Sequence, residues 1–371
     1  MINRQRFLRS SAALAGAPLL GACSANTGVD GYEAAVRSTW RAGPAAIPPG
    51  EVGLLQRELV RCATLAPSSH NTQCWRFRLS AQAIEVQADL SRRCPVVDPD
   101  DHHLHVSLGC ATENLLQAAR AHGLRGFARY TPGGGGGGVV TIALEPGAVA
   151  VSPLFLAIPE RQCSRSVYDG RALSNDELRL LERAGTGDGV SLRLLTERPA
   201  VEQVLEYVVA GNTAQVNDRA FVDELKAWIR FSRDEAVRTG DGLYSGASGN
   251  PLVPRWLGRR LFGAFFTVGS ENDKYAAQVR SSAGLAVFVS EVDDPAHWVE
   301  AGRCYQRFAL QATALGIRNA MLNPPVEVAT LRPQFAGYLG IGARRPDLLV
   351  RFGRGPMMPR SLRRPLDTML T

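Results

Sequence analysis

A chain of 371 residues, 45% of them apolar, is long enough for one large or two ordinary domains with a sizeable core. Its formal net charge is +7, and Arg4, Arg6 and Arg9 near the start supply three of those charges; the +4 left over is too weak a bias to argue for a nucleic-acid partner. The seven cysteines include no Cys-x-x-Cys pair, which argues against a zinc ribbon or a thioredoxin-type site.

Residues 1–22 have a basic start followed by a short apolar run, Ser10 to Ala22, too short to span a bilayer as a stable helix. The pattern is that of an export signal. Arg4-Gln5-Arg6-Phe7-Leu8-Arg9 resembles a twin-arginine motif with Gln5 in place of the second arginine, and Leu20-Gly21-Ala22-Cys23 resembles a lipobox with Cys23 as the lipidated residue. These resemblances imply an exported protein, periplasmic or attached to the cell envelope, with a lipid anchor on a membrane surface. An ordinary secretory signal is the alternative. Residues 23–50 read as a tether and a first helix around Tyr32 to Trp40.

From Glu51 to Leu65, apolar residues recur at helical spacing (Leu54, Leu55, Leu59, Cys62, Ala63), and Pro67 ends the helix. Trp75, Phe77 and Leu79, then Ile84 and Val86, alternate as strands do. Between them lies Ala66-Pro67-Ser68-Ser69-His70-Asn71-Thr72-Gln73-Cys74-Trp75-Arg76-Phe77, a polar turn rich in hydroxyls, amides and free backbone N–H groups. Turn-forming residues after a proline-stopped helix suffice to explain it. The segment also resembles the A-P-S-x-x-N-x-Q-P-W motif of nitroreductase-like flavoproteins, with Cys74 at the proline position. Together with Pro95-Val-Val-Asp98-Pro-Asp100 and Ser107-Leu-Gly109-Cys110 it is similar to the Acg subfamily of FMN oxidoreductases, over most of residues 32–365. The resemblance implies that Pro67, Ser68, Ser69 and Asn71 contact a flavin.

Asp101-His102-His103-Leu104-His105 lacks metal-ligand spacing and reads as a solvated loop. Ser68-Ser69-His70 lacks the strained elbow of a hydrolase nucleophile. Gly133 to Gly138 is a flexible glycine loop.

Ser107–Leu124 and Glu300–Ile317 repeat one pattern at a constant offset of 193 residues, pairing Gly109 with Gly302, Ala119 with Ala312, Ala121 with Ala314 and Gly123 with Gly316. Each leads into strand-like segments. Nitroreductase-like subunits usually pair as homodimers with flavin at the interface, so the resemblance implies an α+β, nitroreductase-like fold duplicated within one chain into a pseudo-dimer. The halves are residues 51–150 and 151–371, and the expected assembly is a monomer. The turn of the second half, Gly185-Thr-Gly-Asp-Gly189, has lost the family residues, so one flavin site is expected.

Glu160 to Asp169 resembles the family's R-x-S-x-R segment, which implies that Arg161, Ser164 and Arg165 bind the FMN phosphate and ribityl chain through forked hydrogen bonds. A solvated basic loop is the alternative. The run Gly353 to Pro365 resembles the basic tail that closes over that phosphate, with Arg360 and Arg363 as the contacts and Arg364 as the substitute for the second. Asn323, after the second repeat helix, matches a position that approaches the flavin ring. Residues 230–274 carry an apolar patch (Trp256, Leu257, Leu261, Phe262, Phe265, Phe266) that reads as core or as a lid over the cofactor. The function implied is two-electron hydride transfer through FMN, with NAD(P)H as a possible donor, to a nitroaromatic or quinone-like acceptor. No side chain need act as acid or nucleophile. The alternative is a protein that sequesters FMN under a closed lid.

Overall fold

The computed structural model describes residues 27–43, 47 and 50–371. The export signal and Cys23 lie outside the described residues.

In the first half, helix α1 (Thr27–Thr39) precedes α2 (Val52–Thr64), strands β1 (Trp75–Ser80) and β2 (Ala83–Ala88), helix α3 (His102–Ala121), and strands β3 (Leu124–Pro132) and β4 (Gly138–Pro146). They form an antiparallel sheet of order β1-β2-β4-β3. After the short helix α4 (Pro153–Ala157), the second half runs α5 (Asn175–Gly185), β5 (Val190–Leu195), β8 (Gly284–Ser290), α11 (Pro295–Ala314), β9 (Arg318–Met321) and β10 (Arg345–Gly353). Its sheet has the order β5-β8-β10-β9, also antiparallel. The two units share one topology, so the α+β duplication is present in the backbone. Between β5 and β8, where the first half has only the Ala81-Gln82 turn, the second half carries residues 196–283: α6 (Arg198–Asn217), α7 (Arg219–Trp228), β6 (Ile229–Arg230), α8 (Arg233–Thr239), β7 (Leu243–Tyr244), α9 (Arg255–Phe265) and α10 (Val268–Arg280). Helices α12 (Pro324–Glu327) and α13 (Arg332–Tyr338) separate β9 from β10.

The halves meet where α3 crosses α11. A Cβ on Gly109 would lie 1.9 Å from the Val299 carbonyl oxygen, and one on Gly302 would lie 2.0 Å from that of Val106. Both pairs keep the same offset, so the contact is reciprocal, as in a two-fold dimer. Glycine is required at both positions because the opposing atoms are backbone. Gln306 Nε2 donates to Asn114 Oδ1 across the same crossing, and Arg307 pairs with Glu113 at 3.1 Å.

The sequences of the central strands follow from what covers them. Both β8 and β10 are buried at every residue, since one face of their sheet packs on α11 and the other on the insertion. In β2 buried and half-buried residues alternate, because that sheet has a core on one side only. The C-terminal tail returns to the first half: Phe77 N donates to Met369 O, and Thr371 N to Phe77 O. The six described cysteines are free thiols. Among the described residues no helix is long and apolar enough to cross a membrane.

Two expectations are corrected. His102, His103 and His105 are not in a solvated loop; they form the buried first turn of α3. Asp98 caps this turn from outside, accepting from the N–H groups of His103 and Leu104 at 2.9 Å each. The apolar patch of α9 is not all core: Trp256 is 68% and Phe265 72% exposed, whereas Phe262 and the following Phe266 are half-buried over the cleft.

Candidate functional site

Helix α2 stops at Thr64, and the polar turn after it is held in unusual backbone geometry. His70, Asn71 and Gln73 all have positive φ, between 48° and 54°. Three non-glycine residues there within four positions need outside support, and long-range hydrogen bonds supply it. Asn71 Nδ2 donates to the carbonyls of Gly242 and Leu362, and its Oδ1 accepts from Arg363. Gln73 Nε2 donates to Gly240 O, while the Arg364 N–H donates to Gln73 Oε1. The Asn71 side chain thus spends its hydrogen bonds on protein atoms. Ser68 Oγ accepts from the Gln73 N–H, and Ser69 turns toward a cavity.

That cavity has a volume of about 280 Å³ and lies where the halves and the insertion meet. The turn gives it Pro67, Ser68, Ser69 and His70; α3 gives His103, Val106, Ser107 and Cys110; β9 and the residues after it give Met321, Asn323 and Pro324. The insertion roofs it with Leu243, Phe262, Phe266, Lys274 and Tyr275. A smaller lobe of about 90 Å³ adjoins it and shares Pro67, Ser68, Cys163 and Arg165. Asn71, Arg161, Arg360 and Arg363 line this second lobe.

The expected site residues, drawn from four distant stretches of sequence, therefore converge on one bilobed cleft, with one exception. Ser164 is buried and lines neither lobe; its Oγ bonds Gln162, its N–H donates to Asn319 O, and its carbonyl accepts from Tyr168.

Arg161 donates to Leu65 O, and Arg363 to the carbonyls of Thr64, Leu65 and Ala66, so both close the carbonyl end of α2. Arg360 stacks on Trp40 at 4.7 Å and pairs with Glu160 at 3.0 Å. Among the described residues the Arg165 side chain bonds only Ser248 Oγ, at 3.4 Å. Among the described residues, the four guanidinium groups around this small lobe share a single carboxylate, that of Glu160. Burial, and then the neighbouring Arg161 charge, hold Arg363 down to about 9. Arg161 Nε is buried without a partner. The lobe is built for an anion.

The larger lobe is nearly neutral on the turn side. Burial, and then the charges of Arg165 and His103, lower His70 to about 4, and its Nε2 has no partner. Burial opposes protonation of His103 too, but bonding to Asp98 outweighs it and raises the imidazole. Asn323 joins this network: Nδ2 lies 3.1 Å from His103 Nε2, and Oδ1 accepts from the Leu349 N–H. His103 and Cys110 were missed as cleft residues; Cys110 lies within the repeat helix, and extending that helix toward its N-terminus would have brought in His103.

A second depression lies at the pseudo-symmetric position. Ala296, Val299, Glu300 and Arg303, with Ala128 and Tyr130, line it. Each is offset by 193 from a residue of the first cleft: His103, Val106, Ser107, Cys110, Met321 and Asn323. Charged Glu300 and Arg303 stand where the first cleft has Ser107 and Cys110, and they pair with each other along α11 at 2.6 Å; the depression, at about 430 Å³, is not smaller than the first cleft.

No family model matches the chain. A Mycobacterium tuberculosis H37Rv protein provisionally named NAD(P)H nitroreductase Rv3131 is 24% identical over 322 residues, covering 85% of this chain and 90% of that protein. A second from the same strain, provisionally named NAD(P)H nitroreductase acg, is 23% identical over 332 residues, with 84% and 93% covered. Among solved structures, a nitroreductase with bound FMN from Desulfitobacterium hafniense DCB-2 is 13% identical with a TM-score of 0.38, covering 60% of this chain and 98% of that one. The FMN-dependent nitroreductase NfnB from Mycobacterium smegmatis, in complex with NADPH, is 12% identical with a TM-score of 0.36, covering 55% and 87%.

Proposed function

We propose that the protein is a nitroreductase-like oxidoreductase that holds one FMN in the bilobed cleft. It passes two electrons, as hydride, from a small-molecule donor such as NAD(P)H to a nitroaromatic or quinone-like acceptor. The observation that carries this reading is the small lobe: four arginines and one carboxylate, opening into a cavity walled by the strained Ser68–Ser69–His70 turn. A phosphate monoester would supply the missing negative charge. The names of the relatives support the same class of activity.

The residues fit that cofactor in kind. Arg165, with Arg161, Arg360 and Arg363, would hold the phosphate; Pro67, Ser68, Ser69 and the backbone of the turn would hold the ribityl chain and ring, and Asn323 would approach the ring from the second half. Asn71 and Gln73 hold the turn in shape. When bound, FMN supplies hydride acceptance and donation, and the chain supplies position, charge and exclusion of water. The second depression lacks the arginine cluster that lines the small lobe, so one cofactor binds per chain.

A second reading has an observation of its own. The base of the 230–274 segment is fastened to the turn: the Gly242 N–H donates to Asn71 O, Gln73 binds Gly240, and Asp241 is gripped by Arg92 and Arg230. A roof this firmly hinged fits a protein that stores FMN without turnover. Anaerobic addition of NADPH or NADH to the yellow protein separates the two. Bleaching of the flavin absorbance by either donor supports the oxidoreductase; bleaching by dithionite alone supports storage. A colourless protein that takes up no FMN sinks both.

We further propose export through residues 1–22 and lipidation at Cys23, which would leave the protein periplasmic or held at the envelope. The chain acts as a monomer, its two halves standing in for two subunits. Mass spectrometry of the mature N-terminus checks the first point; an unmodified, uncleaved N-terminus overturns it.

A further inference from the structure

Helix α9 has two apolar stripes. Gly258 and Phe262, with Phe266 just past the helix end, turn inward; a Cβ on Gly258 would lie 2.4 Å from the Phe231 ring, and both phenylalanines line the cleft. Leu257, Leu261 and Phe265 recur on another face at the same spacing of four. There Leu261 and Phe265 are exposed, as are Trp256 on the adjoining side and Leu252 just before the helix. Among the described residues nothing covers this face.

The charge around it has one sign. Residues 251–269 contain Arg255, Arg259 and Arg260 and no acid. Arg255 pairs with Glu235 of α8 at 3.3 Å, whereas Arg259 and Arg260 have no carboxylate partner among the described residues. Tryptophan, phenylalanine and leucine flanked by unpaired arginines are what a helix lying in a bilayer interface presents. The N-terminal end of the described chain belongs to the same lobe: α1 packs on α8, where Arg233 lies over the Tyr32 ring. Cys23 is four residues upstream of α1, a reach of roughly 14 Å when extended. A few large side chains on an 11-residue helix fall short of the roughly 800 Å² per partner of a stable protein interface.

We propose that the outer face of α9 docks on an anionic lipid bilayer, with Trp256, Leu261 and Phe265 in the headgroup–acyl boundary and Arg259 and Arg260 on lipid phosphates. The inner face of α9 roofs the cleft, so docking sets the cleft against the membrane surface.

The test uses the full chain with Cys23→Ala, which removes any acyl anchor, so that α9 and lipidation fail separately. Cosedimentation with phosphatidylglycerol–phosphatidylcholine vesicles is compared with that of Trp256→Ser/Phe265→Ser and Arg259→Glu/Arg260→Glu in the same background. The apolar N-terminal segment is common to all three chains. Each pair of substitutions should lower the partition coefficient at least tenfold, with far-ultraviolet circular dichroism unchanged. The parent's binding should weaken with added salt and with pure phosphatidylcholine. Equal partitioning of all three chains overturns the proposal. So does concentration-dependent self-association of the parent that Trp256→Ser/Phe265→Ser abolishes, since the occupant would then be a second copy. The readout requires no flavin, so it stands whatever the cleft binds.

Discussion

Arg165 differs from the other cleft arginines in that its guanidinium makes, among the described residues, a single long bond, to Ser248 Oγ at 3.4 Å. Arg363 and Arg161 close α2, and Arg360 is stacked on Trp40 and paired with Glu160. Arg165→Ala should therefore leave the denaturation midpoint almost unchanged. It should weaken FMN binding by the ~1.5–3 kcal/mol of a charged hydrogen bond, about 10- to 150-fold, as read by recovery of free-flavin fluorescence on dilution. Arg363→Ala should lower stability and flavin retention together. Linkage gives a second signature. Arg363 has its proton affinity lowered to about 9 in the free protein, and a bound dianion raises it, so binding favours the protonated form. Affinity should hold up to about pH 9 and then fall by up to about tenfold per pH unit; a pH-independent affinity from 7 to 10 would remove Arg363 from the phosphate site. The turn itself was legible in residue types, but Asn71 was not legible in role. A sequence motif shows that an amide is needed there; it does not show that Gly242, Leu362 and Arg363 consume it.

At the scale of elements, the helix–turn–strand run from α2 to β1 could be read from apolar periodicity and Pro67, because both signals are local. The start of α3 could not. Its capping carboxylate, Asp98, stands outside the helix, while Asp101 at its threshold, an ordinary N-cap residue type, has a φ of 57° and makes no side-chain cap bond. Asp98 is held near 2: burial would raise it, and the bonds from His103 outweigh that. Its folded value lies below the unfolded one, so its stabilisation is complete above about pH 4 and fades as pH falls toward 2. Asp98→Ala should cost about 2–3 kcal/mol at neutral pH in urea denaturation, with the difference from the parent shrinking in acid. The α3–α11 crossing supplies a stricter test. Gly109→Ala places a methyl 1.9 Å from a backbone oxygen, where no side chain can yield, and should cost about 3 kcal/mol or more. Gly302→Ala should match it, since the contact is reciprocal; Gly263→Ala, with open space around it, should be near neutral. The apolar residues of α9 misled the sequence reading because composition cannot distinguish a stripe that faces a core from one that faces outward.

Across the whole molecule, the repeat was visible because two helices must approach within backbone contact, and only glycine at one offset permits that. The shared strand order was not visible, since residues 196–283 separate β5 from the strand that answers β2. Titration of the apoprotein with FMN should saturate at one equivalent per chain; two equivalents would mean the second depression is also a cofactor site. One consequence of the reciprocal crossing concerns how the chain can be divided. Residues 147–151 are exposed and join units that face each other as separate subunits would. Opened after Ala150 and co-expressed, the two pieces should assemble as an obligate heterodimer that turns yellow only as a pair. The covalent join would then be a device for stoichiometry: it guarantees one flavin-facing half for every arginine-bearing half, and it let a single copy acquire a roof that paired identical subunits would have had to carry twice.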